Sequence, residues 1–438
     1  MPSEVPVPSE NRSPEPSRAA AMWFGAVVLL GLVLRVLVVA THSSELSLDR
    51  DAYLGIARGL QEGRGYSSPG SVHPTAYRPP LYPLLLAPVA GAGQEWLRGG
   101  LQVLFGTAAI GLTWRAARRW GFGVPLSAAA AGLIAIDPLL LVYTPQVMTE
   151  TLAVLLSAAA LALLGGAPES WSVRRQIGLG VVLGLACLCR PTFFPWVGLL
   201  AIWFALRGLA AGTGGWRDRL RRLRRLPWLV PVALVLTVAP WPIRNQLRFG
   251  APILTTTHGG YTLLLSNNER YYDEVVRAGT GGQWSGPQLE QWQKELAAAM
   301  ADERVTGEFA QDRWMKAAAE KWIAEHPREF RECVAQRLAA FWRLGPAAAP
   351  GGPVPLMAQG VKLFYAAEWL LALWGVATAI RRRRADVVPL LLLVLVFTAT
   401  HALYFSNARM RAPLMPALAL LAVAGLSRRE PSGARAAG

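Results

Sequence analysis

Lysine is nearly missing from this chain. It occurs only at positions 294, 316, 321 and 362, so almost all the basic charge is arginine, which reads as genome composition rather than phosphate chemistry. Charge of either sign is scarce: 16% of the 438 residues are charged and 53% are hydrophobic. That is too little polar material to cover globular domains of this size, and it indicates a polytopic membrane protein. Cysteine is limited to three residues. Cys187 and Cys189 lie two apart in an apolar run, on different faces of a helix, and Cys333 is alone, so neither a disulfide framework nor a zinc site follows. His42, His73 and His258 show no metal-ligand spacing, and no metal is assigned. A G-x-S-x-G elbow, a Walker A loop and an H-E-x-x-H helix are all lacking, which removes the usual support for serine hydrolase, ATPase and zinc protease chemistry. Neither a solenoid period nor a transporter-like inverted repeat is evident.

What is present is a set of apolar runs with basic loops between them. A helix crossing a ~30 Å hydrocarbon core needs roughly 20 mainly apolar residues. The candidates are 22–41, 98–116, 123–142, 146–165, 176–190, 192–208, 226–243, 362–380, 386–404 and 411–427. The net charge of +16 is not a nucleic-acid signal, because Arg115, Arg118, Arg119, Arg174, Arg175, the 217–225 cluster and Arg381–Arg384 sit in short loops beside these runs, in the positive-inside pattern. Placing Arg115–Arg119 inside puts 42–97 outside. The alternation then brings every other strong basic loop inside, Arg428 and Arg429 included. Tyr77–Gly93 is apolar, but letting it cross would break that agreement, so it is read as a half-inserted or interfacial helix.

The expected fold is an all-α polytopic membrane protein with about ten transmembrane helices, interfacial helices in the first outer loop and a small helical extracytoplasmic segment. Residues 1–20, rich in Pro, Ser and Glu, read as a disordered cytoplasmic tail. The apolar run after them has no clear cleavage signal and reads as a retained span. Then come a membrane module over 21–243 with its outer loop at 42–97, an extracytoplasmic segment at 244–361, further spans at 362–427 and a cytoplasmic tail at 428–438. Within 244–361, helical spacing over 288–299, 302–325 and 328–343 brings Trp314, Ala318 and Trp322, then Phe330, Val334, Leu338 and Phe341, onto common faces. The implied location is the plasma (inner) membrane, multi-pass, with the active site on the extracytoplasmic side.

The polar residues of that side are the candidates for chemistry. Asp49 and Asp51 stand at the mouth of a short helical pattern (Tyr53, Ile56, Ala57, Leu60) closed by Gly63 and Gly65. A carboxylate there suits general-base work on an attacking hydroxyl, and it equally suits an N-cap. Asp49-Arg50-Asp51 also has the form of the metal-binding Asp-x-Asp of soluble nucleotide-sugar transferases, which leaves a divalent cation at Asp49/Asp51 open. Arg78, Arg190, Arg244, Arg409 and Arg411 all fall at the outer boundary, against the positive-inside bias. As a set they suggest an anion site, with a lipid phosphate the natural occupant. Arg35, inside the first span, needs a partner, a cavity or a snorkelling route. Glu150 heads a span, where it favours the helix N-terminus; Asp137-Pro138, near another outer end, reads as structural.

Taken in order, these residues resemble the GT-C class of membrane glycosyltransferases, in particular bacterial relatives of dolichyl-phosphate-mannose protein mannosyltransferases and of the lipid A aminoarabinose transferase. The resemblance rests on Asp49, on Tyr53-Ala57-Leu60, on Gly63-Arg64-Gly65-Tyr66 and on Arg78-Pro79-Pro80-Leu81-Tyr82. It continues through Met148-Thr149-Glu150, Gly184-Leu185-Ala186, Arg190-Pro191-Thr192, Pro240 to Asn245 with Phe249-Gly250, Gly259-Gly260 with Asn267-Asn268, and Arg409 to Pro413. One departure is Arg50, where the family often has a second acid; Asp51 is placed to supply that charge, and the division of labour between Asp49 and Asp51 stays open. The resemblance implies inverting transfer of a sugar, a hexose or a pentose, from a polyprenyl-phosphate carrier to a glycan, lipid or protein acceptor, with no cofactor. Asp49 would be the base. Arg78 with one or more of Arg190, Arg244 and Arg409 would hold the donor phosphate, and Arg35, Tyr53, Tyr77, Glu150, Asn245, His258 and Asn267 are further site candidates. A flippase of lipid-linked sugars and a non-catalytic member of the fold are the competing readings.

Overall fold

Proline and buried arginine decide where the helices of this chain break and how the breaks are sealed. The computed structural model describes residues 18–166, 168–210, 226–279, 284–345 and 356–427. The 217–225 cluster, Arg428, Arg429 and residues 1–17 lie outside the described residues. Regular structure among the described residues is helical, apart from an isolated bridge between Ser67 and Pro74.

The first helix, α1 (Arg18–Thr41), starts at Arg18 and is followed by the loop-one helices α2 (Tyr53–Gln61) and α3 (Leu81–Leu86). With six residues, α3 rises only about 9 Å and does not cross a bilayer. Next come α4 (Glu95–Arg119), α5 (Val124–Ile136), α6 (Pro138–Tyr143), α7 (Glu150–Leu164), α8 (Val173–Cys189), α9 (Phe193–Ala210), α10 (Leu229–Val238) and α11 (Pro240–Phe249). Each of the ten apolar runs carries a helix. Three helical segments, Arg18–Thr41, Leu356–Arg381 and Ala385–Leu403, are both long and apolar enough to cross a membrane on that ground alone. The count of ten spans is therefore not reached by length and hydropathy.

Two of the shortfalls have a visible cause. The run 123–142 is divided at Asp137, because Pro138 lacks an amide hydrogen and restricts the residue before it. Asp137 Oδ1 accepts from the Leu140 amide (3.0 Å) and caps α6. The run 226–243 is likewise divided at Ala239, ahead of Pro240. Helix α8 packs on α10 through Gly180 and Gly184, where a Cβ would strike Val230, Ala233 and Thr237. Small residues four apart let two backbones approach closely in lipid, where apolar burial supplies little drive.

Beyond α11 the chain forms α12 (Gly259–Leu264), α13 (Pro287–Asp302), α14 (Glu308–Glu325) and α15 (Pro327–Phe341). This layer has its own core, including Leu263, Tyr271, Val275, Trp284, Trp292, Met315, Ala319 and Cys333. The buried stripe of α14 runs through Met315 and Ala319, one residue after the expected Trp314 and Ala318. The shift follows from the indole: Trp314 Nε1 donates to Glu303 Oε2 (2.8 Å), which keeps the ring at the layer's edge. The final helices are α16 (Leu356–Arg381), α17 (Val388–Leu403) and α18 (Met415–Ala424), the last buried throughout.

Candidate active site

The turn before α2 sorts the two loop-one carboxylates. Ala52 adopts a left-handed conformation (φ 63°), uncommon for a residue with a Cβ. Before it, Asp49 folds over the start of α2: Oδ1 accepts from the Leu54 amide (3.0 Å) and Oδ2 from the Gly55 amide (2.7 Å). The residue itself remains exposed. Asp51 faces elsewhere. Its Oδ1 lies 3.3 Å from Arg78 Nη2 and its Oδ2 3.0 Å from Arg409 Nη1, while its carbonyl accepts from Arg78 Nε at 2.7 Å.

From Asp51 the charges run inward. Arg409, in the turn Ala408–Leu414, also brings Nε to 3.8 Å from Glu150 Oε1. Glu150, at the start of α7 and 1% exposed, accepts from Arg190 Nη2 at 2.7 Å. Arg190 is fixed in turn by Thr149 Oγ1 (2.9 Å). Three guanidinia thus meet two carboxylates and leave one positive charge uncompensated. Other contacts of these cations are soft: Arg409 Nη1 is 3.3 Å from Met148 Sδ, and Arg190 Nη1 is 3.9 Å from Met410 Sδ. Thioethers are weak acceptors, so a phosphate oxygen competes well for the same N–H groups.

Aromatic rings wall the cluster. Arg78 lies over Tyr53 (5.2 Å to the centroid) and Tyr77 (4.8 Å), and Tyr53 meets Tyr82 edge-on. Tyr77 meets His258 edge-on at 4.3 Å, and His258 stacks on Tyr261 at 5.1 Å. Burial, and after it the Arg78 cation, holds His258 well below its usual pKa, so it stays neutral at physiological pH. Burial likewise pushes the Tyr77 phenol up to about 12.

The structure therefore brings Asp51, Tyr53, Tyr77, Arg78, Glu150, Arg190, His258 and Arg409 into one connected set, with Asp49 at its rim. It does not bring in the rest. Arg244 donates to the carbonyls of Thr75 (2.8 Å) and Tyr66 (2.7 Å) and is packed by Tyr66, Trp241 and Phe249, so it fastens loop one. Asn245 and Asn267 are buried and bond the carbonyls of Ile253 (2.9 Å) and of Leu403 (2.9 Å) and Leu263 (2.7 Å), respectively. Arg411 donates to Phe341 and Arg343 carbonyls (2.8 and 2.6 Å) and lies over Tyr365. Arg35 does not snorkel. It is 1% exposed, packed in the space left by Gly106, and donates to Ile134 and Ala135 carbonyls (3.0 and 3.2 Å) that the Pro138 break deprives of helical partners. It also lines a small cavity together with Tyr143 and Glu150. Among the described residues no group of three or more His, Cys, Asp or Glu is placed to hold a metal ion. Met148 and Met410 entered the sequence reading only as members of the motifs Met148-Thr149-Glu150 and Arg409 to Pro413, with no role of their own.

Residues 78–243 match the family model described as dolichyl-phosphate-mannose-protein mannosyltransferase. That match takes in Arg78, Glu150 and Arg190. None of the curated proteins compared matches the chain in sequence. Among solved structures, the oligosaccharyltransferase of Archaeoglobus fulgidus tethered with an acceptor peptide superposes with a TM-score of 0.55 at 14% identity, covering 94% of this chain and 49% of that one. The same organism's AglB, with an inhibitory peptide and a dolichol-phosphate, gives 0.53 at 14% identity, covering 93% and 50%. ArnT of Cupriavidus metallidurans, bound to undecaprenyl phosphate, gives 0.42 at 17% identity, covering 94% and 78%. The chain spans about half the length of the two archaeal structures. It is a multi-pass membrane protein with the fold of the GT-C glycosyltransferases. Over residues 78–243 it is also similar in sequence to the mannosyltransferase family of that class.

Proposed function

We propose that this protein is a glycosyltransferase that moves a sugar from a polyprenyl-phosphate carrier to an acceptor hydroxyl, with inversion, on the outer face of the plasma membrane. The observation that carries the reading is the convergence of Arg78, Arg190 and Arg409 with one positive charge in excess and with N–H groups resting on thioethers. The likeness to AglB, whose structure holds a dolichol-phosphate, supports a lipid phosphate as the anion. The pattern of arginine-rich loops in the sequence, read by the positive-inside bias, supports the orientation.

In this reading the acceptor oxygen attacks the anomeric carbon, and its proton passes to a carboxylate. The bond from sugar to phosphate breaks with its electron pair on the phosphate oxygen, where the guanidinia stabilise the developing charge. Asp49 is assigned as base because its carboxylate is held by two backbone amides yet exposed to an incoming acceptor. Asp51 has each oxygen against a guanidinium and is assigned to aligning Arg78 and Arg409. The acceptor is a glycan, lipid or protein hydroxyl.

The test compares Asp49→Asn with Asp51→Asn in purified protein supplied with polyprenyl-phosphate sugars, following release of polyprenyl phosphate by mass spectrometry. Loss of a general base lowers turnover by about 10²–10⁴-fold. The expected result is that loss in Asp49→Asn with donor binding kept, and a changed donor constant with residual turnover in Asp51→Asn. The opposite pattern moves the base to Asp51, and no release by the parent protein from any donor defeats the reading.

A further inference from the structure

The sequence puts Glu308 on a polar helix far from loop one, with nothing to mark it. In the fold, its side chain leaves its own helix and joins two loops. Oε2 accepts from Thr75 Oγ1 at 2.6 Å, and Oε1 accepts from the Ala76 amide at 2.8 Å and from Thr257 Oγ1. The Thr257 amide in turn donates to the Ala76 carbonyl (3.0 Å), and the Tyr77 amide to Thr75 Oγ1 (3.0 Å). The backbone of 75–77 is thereby held on three sides, by α14, by residue 257 and, through the Thr75 carbonyl, by Arg244. The next residue is Arg78, followed by Pro79 and Pro80, whose fixed φ leaves the chain little freedom to compensate. The same clamp sets Tyr77 and His258 against each other, one on each of the joined loops.

We infer that Glu308 is a positioning residue: through Thr75, Ala76 and Tyr77 it sets Arg78 for the donor phosphate, and so couples the α12–α15 layer to the donor site. This rests on the phosphate assignment above. Besides heading the first turn of α14, the carboxylate bridges two segments more than 180 residues apart.

The experiment measures binding of undecaprenyl phosphate to the detergent-solubilised full chain, with the thermal unfolding midpoint recorded for each variant. Glu308→Ala is expected to weaken binding about tenfold, and Glu308→Gln by less than about threefold, since an amide keeps an oxygen for the Ala76 amide. In an Arg78→Ala background Glu308→Ala is expected to add nothing, because residues acting through one another are not additive. Thr75→Val, a smaller lesion for the case in which Glu308→Ala does not fold, is expected to weaken binding and to lose its effect in the same background. Parent affinity in Glu308→Ala, or effects that add to that of Arg78→Ala, overturn the inference while leaving the phosphate site standing. Absence of binding by the parent overturns the phosphate site and this inference with it.

Discussion

Two sets of arginine in this molecule are withdrawn from water, and their partners divide them. Arg78, Arg190 and Arg409 face carboxylates and thioethers, 12–17% exposed, at the mouth of one cluster. Arg35, Arg337 and Arg411 are each 1% exposed or less and donate mainly to backbone carbonyls. Arg337 is typical of the second set, binding the Ala402 carbonyl (2.7 Å) and that of Ser266, and so joining α15 to the end of α17. A guanidinium that donates to backbone carbonyls left without helical partners is a fastener. One that shares carboxylates with its neighbours leaves charge available to a third anion. The difference divides these arginines more sharply than location at the membrane boundary does, and the proposed function rests on the first set.

Removing members of each set tests that division. The largest change in donor affinity is expected for Arg409→Ala, because Arg409 touches both Asp51 and Glu150 and its loss removes the positive charge in excess, leaving two guanidinia against two carboxylates. Hydrogen bonds to charged groups contribute about 1.5–3 kcal/mol each, so the donor constant rises by about 100-fold or more in donor-titration kinetics. A rise below about threefold breaks the comparison.

Arg78→Ala and Arg244→Ala sharpen it. Both residues stand at the same boundary, but Arg78 belongs to the carboxylate set and Arg244 to the loop carbonyls. The donor constant is expected to rise about 10- to 100-fold in Arg78→Ala. In Arg244→Ala it stays within about threefold, while the unfolding midpoint falls. Equal shifts in both variants would return Arg244 to the phosphate site.

The smallest effect on turnover per folded molecule is expected for Arg411→Ala. Its loss removes the hydrogen bonds to the Phe341 and Arg343 carbonyls and costs about 2–4 kcal/mol of stability, read as lowered expression and a lower unfolding midpoint. A specific activity more than about tenfold below the parent would place Arg411 with the functional set.

Much of this was legible in residue order. Apolar runs located a helix in each run, and the spacing within 288–343 located helices of the α12–α15 layer, because helical periodicity and desolvation act over a few neighbouring residues. The loop-one motif, with Arg78, Glu150, Arg190 and Arg409, marked the cluster proposed as the site for the same reason: each lies beside an apolar boundary where a charge is conspicuous. Residue order did not divide the five boundary arginines, seat Arg35 on the carbonyls freed by Pro138, or give Glu308 any role. Those outcomes depend on which acceptors arrive from elsewhere in the chain, about 100 residues away for Arg35 and more than 200 for Glu308 and Thr75. A guanidinium or carboxylate withdrawn from water takes whichever partners the packing of distant helices presents, and only the tertiary structure chooses them.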